Sequence, residues 1–277
     1  MRVAFQGVHG AYSDVAAHTL LGSHVDTVPV ESFRDVFLAV ESASVRYGVI
    51  PIENSLAGSI HQNYDLLMSH RLHIVGETHL RIEHVLMVHP SCTRGRVRSV
   101  RSHPQALAQC SRFFRRNKRI TPVPYFDTAG AALSLRDEQP RDTAAIASAH
   151  AAKLYGLRIL RRNLEDRPSN FTRFLVLSRR PWQPQPGLRT KCSIAFAPSQ
   201  NRVGILFRIL GVFALRDIDL LKIEARPDPR SPFQYLFYLD LAGDPRQPNV
   251  ARALEHLQEM VTHFRLLGAY PRGEGHL

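Results

Sequence analysis

The strongest constraint on this chain is an alternation. Over residues 2–177, short apolar runs keep giving way to segments with helical spacing. Residues 2–6 read as a strand, 14–21 as a helix behind a Ser13 cap, and 26–30 as a second strand. Ser32-Phe-Arg-Asp35 has the form of a capping box opening a helix to Ser42, and 47–52, rich in Val and Ile, is a third strand. A strand over 97–101 leads into a helix over 104–116, with Pro104 at its first position, where the missing N–H costs nothing. A buried strand at 144–147, a helix at 148–155 and a strand at 171–177 close the series. Repeated βα units predict an α/β fold with parallel strands covered by helices.

The pattern breaks at 179–190, where Pro181, Pro184, Pro186 and Gly187 make a stiff polar linker. Beyond it the order is strand 192–197, helix 203–215, strands 218–225 and 234–241, helix 249–262 and strand 264–269. That is the βαββαβ order of a ferredoxin-like domain. A chain of 277 residues is long for one core, so the reading is residues 1–178, a linker, and a second domain over 191–270.

The formal net charge of +12 suits nucleic acid, a membrane surface or an anionic small substrate. No helix-turn-helix, zinc-finger or RNA-recognition signature accompanies it, so solvated surface charge and general anion attraction are expected, with no nucleic-acid partner. Cys92, Cys110 and Cys192 are far apart, which predicts reduced structural thiols. No segment approaches the roughly 18 apolar residues of a membrane span, and no apolar leader follows Met1, so a soluble cytoplasmic protein is expected. His70 and His73 could share a helix face, but no carboxylate stands beside them at ligand spacing, and no metal is expected. A Walker loop and a Gly-x-Ser-x-Gly elbow are both missing.

Four polar segments remain. Gly7-Val-His-Gly10 joins a strand to a helix without the spacing of a dinucleotide fingerprint; a tight turn and an anion contact both account for it. Pro51-Ile-Glu53-Asn54-Ser55-Leu-Ala-Gly58-Ser59 delivers an acid, an amide and hydroxyls at a strand end, where a parallel sheet faces its ligand crevice; turn chemistry is the equal alternative. Ser102-His103-Pro104-Gln105 precedes a helix, and Asn170-Phe171-Thr172-Arg173-Phe174 enters the last strand of the region.

These stretches resemble prephenate dehydratases. The resemblance is carried by Phe5-Gln-Gly-Val-His-Gly-Ala-Tyr-Ser13, Tyr47-Gly-Val-Ile-Pro-Ile-Glu-Asn-Ser55, Ser102-His-Pro-Gln-Ala-Leu107, Ala144-Ala-Ile-Ala-Ser148 and Thr172-Arg-Phe174, in the family's order. Val8-His9 departs from the commoner Pro-Glu. The resemblance implies two α/β lobes like those of periplasmic binding proteins, with Thr172 as the catalytic hydroxyl. It also implies a substrate site of Ser13, Glu53, Asn54, Ser55, Gly58, Ser59, Ser102, His103, Gln105, Asn170, Arg173 and Phe174. The second domain resembles the ACT domains attached to such enzymes. Asn201, Gly204, Ile205 and Leu206 match one phenylalanine-binding element, with Ile205 for alanine; Glu224, Arg226 and Pro227 match another, with Ala225 for serine.

The implied activity is that of a carbon–oxygen lyase: prephenate loses carbon dioxide and water to give phenylpyruvate, without a cofactor. The departing hydroxyl needs a proton, which Thr172 would supply, while helix N-termini and Arg173 would hold the substrate carboxylates. Phenylalanine is the implied effector, and a homodimer or homotetramer is implied because ACT domains pair. The same fold acting on arogenate, and a non-catalytic ligand trap, are the alternatives.

Overall fold

The computed structural model describes residues 1–93, 97–183, 187–199, 202–228 and 234–273. Its described residues pack into two units. One comprises Met1–Tyr64 with Thr78–Leu175, and the other comprises Asp65–Glu77 with the chain from Val176 onward.

The first unit opens with β1 (Arg2–Gln6), α1 (Tyr12–Leu21), β2 (Asp26–Val30), α2 (Phe33–Glu41) and β3 (Tyr47–Asn54). The β1 strand pairs in parallel with both β2 and β3. Ser32 and Asp35 form the expected reciprocal capping box of α2. The expected Ser13 cap of α1 does not form. The helix begins two residues earlier behind Ala11, and Ser13 is buried in its first turn. The short β4 (Gly58–Ser59) folds back antiparallel on β3, and α3 (His61–Ser69) and β5 (His73–Arg81) follow. His70 lies just beyond α3 and His73 starts β5, so the two share no helix face.

The next elements are β6 (Val85–Val88), β7 (Ser99–Ser102), α4 (Pro104–Gln109), α5 (Ser111–Arg116) and β8 (Thr121–Pro124). Then come α6 (Thr128–Glu138), β9 (Thr143–Ala147), α7 (Ala149–Leu154), β10 (Arg158–Arg161) and β11 (Phe171–Ser178). The expected helix over 104–116 is broken at Cys110. There the Asp166 carboxylate accepts from Ser111 N (3.0 Å), Ser111 Oγ (2.6 Å) and Arg112 N (2.9 Å), restarting the chain as α5.

The first sheet runs β2-β1-β3-β11-β5 with β4 against β3, and the second runs β10-β6-β9-β7-β8. The two sheets are the two lobes. They are not purely parallel, as the βα alternation had predicted: β6 is antiparallel to both β9 and β10. The chain first enters the second sheet at β6, coming from β5 without an intervening helix, so no right-handed crossover imposes a parallel direction on β6. Small side chains let α6 and α7 approach closely. Ala129, Ala131, Ala132, Ala145, Ala147, Ala151 and Ala152 share one buried cluster with Phe5, Met87 and Leu135.

The second unit carries β12 (Thr190–Pro198), α8 (Ile205–Ala214), β13 (Leu220–Pro227), β14 (Tyr235–Ala242), α9 (Pro248–Met260) and β15 (Val261–Pro271). Its sheet order, β13-β14-β12-β15, with every pair antiparallel, is the ferredoxin-like arrangement. Phe196, Ile209, Phe213, Leu239 and Leu257 centre its core. Residues 65–77 were not anticipated here. They are held by Arg265, which donates to the carbonyls of Met68 (3.0 Å), Leu72 (3.3 Å) and His70, and by the buried Lys191, 2.9 Å from the Glu77 carboxylate.

Candidate active site

The first unit contains a cavity of about 480 Å3 lined from both sheets. Of the residues expected at the substrate site, Ser13, Asn54, Gly58, Ser59, His103, Gln105, Thr172 and Phe174 line it, and Glu53, Ser55, Ser102, Asn170 and Arg173 do not. Strand geometry explains Arg173. Successive side chains of β11 alternate, so Thr172 and Phe174 share the cavity face while Arg173 is buried on the other. Ser102 Oγ donates to the Ile146 carbonyl (2.6 Å), and Ser55 ties β3 to the Ser169–Phe171 segment, so both hydroxyls serve the framework. Glu53 is held in the β3–β4 ladder opposite Ser59. Gly7 and Gly10 stay off the lining, and the turn reading of their loop is the one that fits. Gly7 has φ +111°, and a Cβ there would come within 2.7 Å of Asp127 Oδ2.

Asn54 orients the hydroxyl of Thr172. Its Oδ1 accepts from the backbone N–H groups of Leu56 (3.1 Å) and Ala57 (2.9 Å), which settles which end of the amide is oxygen. Its Nδ2 therefore donates to Thr172 Oγ1 (2.9 Å) and to Asn170 Oδ1 (2.8 Å). With an acceptor role already filled, the Thr172 O–H is free to donate elsewhere, and Thr172 lines the cavity.

Further in, the row converges on Gln109 Oε1. Asn170 Nδ2 donates to Gln109 Oε1 (3.0 Å), so His84 Nε2, 2.9 Å from that oxygen, must carry a proton. His84 Nδ1 lies 2.9 Å from the Tyr12 hydroxyl, which also lies 2.8 Å from the Glu83 carbonyl. Burial lowers the His84 pKa, against the hydrogen bond to Gln109 and the nearby Glu165 carboxylate, and favours the neutral ring. Burial also pushes the Tyr12 hydroxyl well above its usual range, with negative charge from Cys110, Glu165 and Glu83 adding to it.

Sequence reasoning missed Tyr12, His84, Gln109, Asp127 and Thr128, all on the lining. Gln109 follows Gln105 at i+4, one turn along α4, a spacing visible in the sequence. Asp127-Thr128 opens α6 with Asp127 as the N-cap, the same signal that singled out His103-Pro104. His84 stands alone before an apolar strand and gave no signal.

Two lobes around a cavity, joined in one chain to a ferredoxin-like domain, define a two-lobed α/β protein with a second domain attached. A family model for prephenate dehydratase matches residues 3–181, and one for the ACT domain matches residues 199–257. The chain belongs to the prephenate dehydratase family, whose members are lyase-type dehydratases that decarboxylate, and it carries an ACT domain.

Among curated relatives, arogenate dehydratase/prephenate dehydratase 2 of Arabidopsis thaliana, a chloroplastic protein, is 45% identical over 280 residues, covering 98% of this chain and 73% of its own. Arogenate dehydratase 1 of Petunia hybrida is 42% identical over 286 residues, covering 98% and 67%. Among solved structures, a prephenate dehydratase from Arthrobacter aurescens in complex with L-Phe superposes with a TM-score of 0.90 at 27% identity, covering 99% of this chain and 91% of that one. A protein described as GqqA, a novel type of quorum quenching acylase, gives 0.90 at 36% identity, covering 99% of each chain.

The cytoplasmic expectation is overturned. The Arabidopsis relatives matching 98% of this chain are chloroplastic proteins. Apolar patterning could not decide this, because plastid-directing segments are amphipathic and rich in Arg and Ser.

Proposed function

We propose that prephenate binds in the cavity with its ring hydroxyl against Thr172, and that Thr172 protonates that hydroxyl as it leaves. The ring carboxylate departs as carbon dioxide, its bonding pair enters the ring, and the C–O bond breaks. Prephenate plus one proton then balances phenylpyruvate, carbon dioxide and water, and Thr172 regains its proton from solvent. The observation that carries this reading is the Asn54 amide donating to Thr172 Oγ1, which leaves the threonine as donor.

Threonine is a weak acid, so the remaining help is electrostatic. The α1 N-terminus reaches the cavity through Ala11–Ser13, and His84 and His103 border it. Arg173 has no part in holding substrate, since it faces away. Thr172→Ala removes the donor and is expected to lower kcat for phenylpyruvate formation by about 10²–10⁴-fold with KM changed far less. Near-normal turnover in that variant sinks the assignment.

The relative described as an acylase raises amide hydrolysis as a second reading. A threonine nucleophile needs a base in hydrogen-bond reach, and the partner of Thr172 among the described residues is an amide nitrogen. The geometry favours dehydration.

The ACT domain suggests regulation by phenylalanine. Gly204, in the left-handed region at φ +76°, caps α8, while Ile205 and Leu206 form its first turn. Glu224, Arg226 and Pro227 lie on the edge strand β13, and Asn201 falls outside the described residues. Val203, Phe207 and Leu215 around α8 are almost fully exposed, an apolar face suited to pairing between two copies.

A further inference from the structure

One face of the second unit's sheet holds the stretch that ends α3 and opens β5. The β14 strand sends Phe237, Leu239 and Leu241 into the core shared with α8 and α9, so Tyr238 and Asp240, alternating with them, lie on the other face. Arg226, across from Leu236, and Arg265, across from Ala195, belong to that other face too. There the sheet grips residues 65–77. Arg226 on β13 donates to Asp65 Oδ2 (2.8 Å) in α3. Arg265 on β15 donates to the carbonyls of Met68 (3.0 Å), His70 and Leu72 (3.3 Å). Lys191 on β12 lies 2.9 Å from both carboxylate oxygens of Glu77 in β5. The fit is close, because a Cβ on Gly268 of β15 would run into the Ile74 carbonyl.

The gripped stretch is continuous along the chain with the cavity wall at both of its ends. Ser59 and Ile60, which line the cavity, run directly into α3, and Ile82 and His84, which line it too, follow directly on β5. We infer that residues 65–77 are the element through which the ACT domain sets the cavity, with Asp65 a positioning residue whose ion pair with Arg226 is the effector-sensitive contact. The inference rests on the regulatory reading and deepens it.

The two ion pairs differ in kind. Lys191 and Glu77 are both buried, and a buried pair resists the loss of either partner, so it serves as a fixed anchor. The Arg226–Asp65 pair is looser. The Asp65 side chain is 40% exposed, and Arg226 stands on the edge strand β13, in the element whose resemblance implies phenylalanine binding. Its guanidinium is also unsaturated, since Nε is buried without an acceptor among the described residues. A buried donor in that state is costly, so a shift of β13 that gives it an acceptor is favoured. A ligand that binds one setting of β13 more tightly than the other then shifts α3 about the anchor, and Ser59 and Ile60 with it.

The test uses the full chain, with L-phenylalanine as effector and phenylpyruvate formation from prephenate as readout, for the wild type, Asp65→Asn and Asp65→Glu. The exposure of Asp65 lets either residue be accommodated without loss of the fold. The expected result for Asp65→Asn is a fall of about 2–30-fold in the factor by which saturating phenylalanine changes kcat/KM, the range spanned by substitutions along a coupling route. Phenylalanine binding, measured by calorimetry without substrate, is retained. Asp65→Glu keeps the charge and keeps the response. A merely structural residue would alter kcat/KM equally with and without phenylalanine and leave the factor untouched, a result that overturns the inference. Loss of phenylalanine binding in Asp65→Asn overturns it as well, by making Asp65 part of the effector site. Hydrogen exchange on the wild type needs no variant: phenylalanine should alter amide protection over residues 59–77, and unchanged protection there also sinks the inference. A wild type that neither binds phenylalanine nor responds to it defeats instead the regulatory reading.

Discussion

Thr172 belongs to a row of side chains that converges on Gln109: Asn54 donates to Thr172 and Asn170, Asn170 donates to Gln109 Oε1, and His84 Nε2–H donates to the same oxygen from the other side, next to Tyr12. The direction is imposed at one end by two backbone N–H groups on Asn54 and sustained by amides that cannot be turned without facing like against like. Gln109 Oε1 places a proton on His84 Nε2, and burial keeps the ring neutral. Its folded pKa lies below the usual 6.5. On acidification through that value the unfolded chain takes up a proton that the folded chain refuses, so stability falls as pH drops below about 6.5 and is fully present above it. His84→Gln keeps a donor toward Gln109 and removes the titration. Its unfolding free energy should decline less steeply with acid than the wild type's, by at most about 1.4 kcal/mol per pH unit for one proton. Identical slopes in urea titrations from pH 7 to 5 would contradict the neutral-ring account.

At the scale of elements, strand alternation and helix caps place the chemistry. The β11 strand sends Thr172 and Phe174 to the cavity, and no loop rearrangement could bring Arg173 there without turning the strand over. The α4–α5 break matters in the same way. By restarting the helix at Ser111, Asp166 ends α4 at Gln109, the residue that bonds both Asn170 and His84. Asp166→Ala deletes three hydrogen bonds and a favourable charge at the start of α5. It should cost about 1–2 kcal/mol of unfolding free energy and lower the melting temperature by a few degrees. A melting temperature equal to the wild type would mean that α5 is held by packing alone.

For the whole molecule, the +12 net charge and a cavity lining without Arg or Lys among the described residues do separate jobs. The surface field draws anionic substrates in, while the cavity discriminates by placed hydrogen bonds. The ACT domain adds a second ligand to the same chain. Adding phenylalanine should change kcat/KM about 5–150-fold, the usual range of allosteric coupling, and light scattering should report an assembly of at least two chains. Phe207→Glu puts a charge on the exposed face of α8 and should abolish the phenylalanine response. Kinetics indifferent to phenylalanine in the wild type would remove the sensor role.

How far the sequence alone determined this protein follows from the range of the forces involved. Helix spacing, the Ser32–Asp35 capping box, the βαββαβ order and the Thr172 segment were legible because each depends on residues close in the chain. The joining of Tyr12, His84, Gln109 and Asp127 in one cavity was not. Neither was the antiparallel setting of β6, nor the membership of residues 65–77 in the second unit. Those depend on which distant strand or helix supplies the missing partner for a buried donor or apolar face. That choice is made by the energy of the whole packed arrangement, which local sequence leaves open.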